Sequence, residues 1–289
     1  MTSPLPPPIP GTAAVPVAPR VPPRDERFAT TLPLVAAVGA VAVLTVSLLG
    51  SKLLLDAVVG LGWPVALYVA LLAAVGYGPS LWWCRFASRR WGTGQLSADI
   101  GLTPRLVDLG WGPLIWLGAI GAQVAVGAVV IALDLPIVGN TDGIEELTAD
   151  RTYVVSIVIS AVVAAPIVEE MVFRGVVMRG LASRLPIVAV VVLQGLLFGV
   201  AHVDPVRGVG NIGLVLVLSG VGIAFGVAVA LLGRIGPSIV AHAIFNAAVL
   251  VIVLTGVADR LDDASPERGE DVGVVDQADR AEPGGDRNT

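Results

Sequence analysis

Glu169 and Glu170 stand side by side at the end of residues 154–168, a run without a single charge. A carboxylate facing hydrocarbon is costly, so an adjacent pair there marks either a buried ion-pair cluster or a reaction centre. In the stretch 169–174, Glu-Glu-Met-Val-Phe-Arg, Glu170 lies four residues before Arg174, the favourable order for an ion pair along one helix face. Glu169 is turned about 100° away and has no such partner. It is free to face a cavity and to hold or deprotonate a water.

The chain has only two histidines, His202 and His242, and both also lie in apolar surroundings. In 198–202, Phe-Gly-Val-Ala-His, Phe198 and His202 share a helix face; in 242–246, His-Ala-Ile-Phe-Asn, so do His242 and Asn246. Taken singly, each is more simply a hydrogen-bonded packing residue. Taken together, they hold the parts for peptide-bond hydrolysis. Glu169, helped by His202, would take a proton from water, and His242 with Asn246 would stabilise the oxyanion. Glu169, His202 and His242 are also candidate ligands for Zn2+ or another divalent cation. They come from separate helices without a His-Glu-x-x-His pattern, so the spacing leaves metal-dependent and metal-free routes both open.

Converging these residues is a task for helices in a bilayer. Apolar residues make up 55% of the chain and charged ones 14%, with a mean hydropathy of +0.84, which excludes an ordinary soluble domain. About 20 apolar residues span the hydrocarbon core. That rule predicts an all-α, polytopic transmembrane bundle with helices near 32–55, 63–84, 111–133, 152–182, 186–203, 211–232 and 236–256. The fourth is longer than a membrane is thick, and Pro166 is positioned to kink it. From Glu169 to the turn at Arg184, and from Pro186 to His202, both arms of one hairpin measure roughly 22 to 24 Å. Glu169 and His202 should therefore lie at one depth, and His242 joins them if the hairpin tip projects beyond the bundle.

Four segments are expected: a disordered Pro-rich stretch over 1–30, N-terminal membrane helices over 31–135, a catalytic membrane core over 150–256 and a disordered acidic tail over 257–289. The tail holds ten acids and four arginines, a charge of −6, so the net charge of −5 leaves the remainder at +1. Lone Cys84 excludes a disulfide framework. The apolar run after Arg20, Arg24 and Arg27 is longer than a signal-peptide core and reads as a retained helix. Those arginines, with Arg85, Arg89, Arg90, Arg105, Arg179, Arg184 and Arg234, fall on alternate turns, which places the N-terminus in the cytoplasm and the tail outside. Small residues at helical spacing, Gly195 with Gly199 and Gly222 with Gly226, favour close helix packing.

The motifs, in this order and in a multi-helix membrane protein, resemble the CPBP family of intramembrane proteases, also called the ABI or CAAX-protease-like family. Its pattern is Glu-Glu-x-x-x-Arg, then Phe-x-x-x-His, then His-x-x-x-Asn or Asp. The chain matches at Glu169, Glu170, Arg174, Phe198, His202, His242 and Asn246, and the resemblance covers about residues 150–250. It implies an integral membrane endopeptidase in which Glu169 and His202 activate water, while His242 and Asn246 serve the oxyanion or a metal. Glu170, Arg174 and Phe198 support them. Members are commonly labelled metalloproteases, although a metal-free glutamate mechanism has been advanced for the prenyl-protein branch. Relatives cleave prenylated CAAX proteins or are linked to bacteriocin processing and self-immunity, and they often carry eight membrane helices.

The expected partners are a membrane protein or peptide substrate and the lipid bilayer, with no nucleic acid. Two other classes compete. A proton- or ion-coupled transporter would use the same ionisable groups, but no internal repeat relates residues 30–135 to 150–256, as several transporter folds would require. A non-catalytic immunity or scaffold protein would keep the constellation without turning over a substrate.

Overall fold

A computed structural model describes residues 32–137, 151–203 and 211–257; the expected Pro-rich segment and nearly all of the acidic tail lie outside them. Among the described residues the chain is all-helical. The helices are α1 (Leu34–Val58), α2 (Val65–Trp91), α3 (Leu96–Ile100) and α4 (Asp108–Ala132), followed by α5 (Arg151–Ala182). Then come α6 (Ile187–Val200), α7 (Ile212–Leu232) and α8 (Gly236–Thr255). Six are long and apolar enough to cross a membrane, and α6 is a shorter apolar helix. This is a multi-pass membrane protein.

The seven apolar segments expected from the sequence are all present. Helix α2 runs seven residues past its expected end at 84 and includes Arg85, Arg89 and Arg90 in its last turns. Helix α3 was not foreseen. At five residues it is too short for an apolar period, and it is held by a polar knot in which Asp99 accepts hydrogen bonds from Ser88 Oγ, Thr93 N and Thr93 Oγ1. Its Ile100 packs on Gly175, where an added Cβ would come within 2.9 Å.

Helix α5 passes Pro166 without breaking. Two stretches, Ile159–Ala164 and Met171–Val177, take π-helical register, each widening the helix by part of a turn. The glutamates sit between them.

Helix α1 packs along the later half of α5, and α4 packs against α7 and α8. Gly195 on α6 and Gly222 on α7 meet closely, and a Cβ on Gly222 would stand 3.0 Å from the Gly195 Cα. The small-residue spacing thus brings two backbones into near contact, and packing at that range is what holds helices together in lipid.

One end of the bundle is tied by direct bonds. Arg234 pairs with Asp108 at 2.7 Å, Arg179 donates to the Gly233 carbonyl at 3.2 Å, and Ile235 N donates to Gly101 O at 3.0 Å. Outward-facing residues such as Val38, Leu53, Val124 and Ile131 are exposed and apolar, as lipid contact requires.

Candidate active site

The glutamates divide into two environments. Glu170 is fully buried, and its Oε1 accepts from Arg174 Nη1 at 2.8 Å, as the i, i+4 spacing predicts. The same oxygen accepts from His242 Nδ1 at 3.1 Å, a link the sequence did not reveal. Arg174 is buried among rings, with its guanidinium carbon 4.4 Å from the centroid of Phe198 and 5.3 Å from that of Phe225. That stacking gives the Phe198 position its use, because ring faces attract a cation that has lost its water. Arg174 Nη2 also donates to the Gly222 carbonyl at 3.1 Å, and Gln194 Nε2 donates to the same oxygen at 2.9 Å.

Glu169 faces the other way. Its side chain keeps 15% exposure, and its Oε2 lies 3.9 Å from His202 Nε2 and 3.9 Å from His242 Nε2. The equal-depth expectation from the hairpin arms is therefore met in space. His202 Nδ1 sits 2.8 Å from the Phe198 carbonyl. A carbonyl only accepts, so Nδ1 carries the hydrogen and Nε2 turns toward Glu169. His242 is set the same way, with Nδ1–H given to Glu170.

The two Nε2 atoms and Glu169 Oε2 therefore converge, and that oxygen is buried without a hydrogen-bond partner. The separation of 3.9 Å is too long for direct hydrogen bonds. It suits groups that share a bridging water. The donor chemistry also suits a divalent cation, because each imidazole has its second nitrogen held by an acceptor, the arrangement typical of metal-binding histidines. Ligands of a tetrahedral Zn2+ stand about 3.3 Å apart. Among the described residues no three His, Cys, Asp or Glu side chains reach metal-holding geometry.

A cavity of about 240 Å³ opens beside these groups, lined by His202, His242 and Asn246 together with apolar residues of α5, α7 and α8 such as Ile157, Val221 and Val249. Asn246 is on this wall, yet its Nδ2 donates to the Ala161 carbonyl at 2.7 Å. Glu169, His202 and His242 thus converge directly, and Asn246 lines the same cavity one turn away.

Residues 151–248 match the family described as Rce1-like, type II CAAX prenyl endopeptidase. Over this segment the chain is similar to that protease family. Curated proteins and solved structures return no match to the chain. The Rce1-like region begins with α5 and ends within α8, so it contains Glu169, His202, His242 and Asn246. Helices α1 to α4 precede it and supply the packing on which α5, α7 and α8 rest. Sequence reasoning missed Gln194 and the Gly222 carbonyl. The available signal was a lone carboxamide inside an otherwise apolar 14-residue helix.

Proposed function

We propose that this Rce1-like protein is an intramembrane endopeptidase that hydrolyses a peptide bond of a membrane-associated protein or peptide with a water activated by Glu169. The observation that carries the reading is the convergence of Glu169 Oε2 with two imidazole Nε2 atoms at 3.9 Å beside a mostly apolar cavity. A water held there gives one proton to Glu169 as its oxygen attacks the carbonyl carbon, with His202 orienting it. Glu170 accepts from His242 Nδ1 and so holds that ring with its Nε2 edge toward the developing oxyanion. Collapse breaks the C–N bond, and the proton on Glu169 passes to the leaving amine.

A divalent cation would be held by Glu169, His202 and His242 and would polarise the water or the carbonyl. The apolar lining suits an apolar substrate side chain. The arginine-bearing end of the bundle, with Arg179 and Arg234, belongs at the cytoplasmic face by the positive-inside rule, which puts the N-terminus there as well.

The test is a peptidase assay of purified protein against a membrane-peptide library, with Glu169→Ala and His202→Ala beside wild type. Cleavage by wild type alone is expected; equal cleavage by all three sinks the mechanism. A parallel arm with a strong chelator reads the metal, since activity that survives verified metal removal argues against a zinc enzyme.

A further inference from the structure

We infer that Asn246 is a positioning residue that stands in for the backbone amide Pro166 lacks, and thereby fixes the spacing of Glu169 from His242. The inference rests on the proteolytic reading for its activity readout, and on backbone geometry for the rest. In π register each amide reaches the carbonyl five residues back, as Ala165 N does to Ser160 O. The next pair in that register is 166 with 161. Residue 166 is proline, which has no hydrogen to give.

The carbonyl of Ala161 would then be stranded on a mostly apolar cavity wall, where an unmade hydrogen bond is expensive. Asn246 Nδ2 supplies the bond at 2.7 Å from across the helix interface. Asn246 lies one turn beyond His242 on α8, and Ala161 lies two turns before Glu169 on α5. Two links at different heights therefore join the helices: Asn246 to Ala161, and His242 to Glu170. Together they set the separation and crossing of the helices that carry the reacting groups. The position needs an N–H donor, because aspartate would set a carboxylate oxygen against a carbonyl oxygen.

A double-mutant cycle tests this. Wild type, Asn246→Ala, Pro166→Ala and the double variant are compared in kcat, KM and thermal midpoint. Pro166→Ala restores a backbone amide, so Ala161 regains a partner whether the segment keeps π register or returns to α. The expected result is that Asn246→Ala lowers kcat by roughly tenfold or more with KM little changed. In the Pro166→Ala background most of that loss should vanish, and the drop in thermal midpoint should shrink in parallel. An equal kcat loss in both backgrounds would show Asn246 acting on the reacting atoms, and no loss in either would remove its role; both overturn the inference. If wild type cleaves nothing, the proteolytic reading fails, while the thermal cycle still decides the Asn246–Ala161 link.

Discussion

The two sides of α5 at residues 169 and 170 make opposite use of the same side chain. On the Glu170 side everything is closed: the carboxylate, Arg174 and Gln194 are fully buried, and the polar contacts run from 2.8 to 3.1 Å. On the Glu169 side everything is held slightly apart, with 3.9 Å between groups, partial exposure and a cavity alongside. A buried ion pair is an unreliable source of stability, because desolvating two charges offsets their attraction. Its use here is orientation, since Glu170 ties His242 in place. The spacing around Glu169 leaves room for a bridging water, which the closed side could not admit.

The strongest way to break this contrast is Glu169→Gln, which keeps shape and removes the proton acceptor. It should lower kcat by as much as about 10⁴-fold with the thermal midpoint unchanged; a large fall in stability would show that Glu169 is structural after all. Next, Arg174→Ala should destabilise the fold by about 3–5 kcal/mol by leaving Glu170 buried and uncompensated. A double Glu170→Gln, Arg174→Met variant should recover part of that stability without recovering activity, which chemical denaturation in micelles and the peptidase assay together would check.

Gln194→Met preserves volume but removes one donor from Gly222 O. A loss of about 1 kcal/mol is expected, with Arg174 still in place. The smallest effect lies outside both regions, at Asp99. Burial alone pushes its carboxyl up, yet hydrogen bonds from Ser88, from Thr93 and from the Gly94 backbone outweigh that and hold it below the usual range. A lowered folded value means that this stabilisation is complete at neutral pH and fades as pH falls below about 4. Asp99→Asn should therefore flatten the acid limb of a stability-versus-pH curve, and an unchanged limb would refute the assignment.

The helices and the meeting of Glu169 with His202 were legible because both depend on length: apolar runs count out the membrane, and rise per residue counts out depth. The division of the glutamates followed from 3.6-residue periodicity. What stayed hidden depends on departures from that period. The π register around Ile159–Ala164 gives the Ala161 carbonyl to Asn246, and no count of i+4 spacings contains it. Contacts between distant segments were equally silent: His242 on Glu170, and Gln194 on Gly222 across two glycine-lined helices. Helix α3 escaped because polar bonds, rather than an apolar stripe, define it.

At 14 residues, α6 rises about 21 Å, while the hydrocarbon layer is about 30 Å thick. Its outer face, Val188, Leu196 and Val200, is bare and apolar, so lipid beside it must compress toward the shorter length or let polar atoms in. His202 stands where that helix runs out. On the proteolytic reading, a short span beside His202 would bring the membrane surface nearer to the site, where the bond to be cleaved has to meet water.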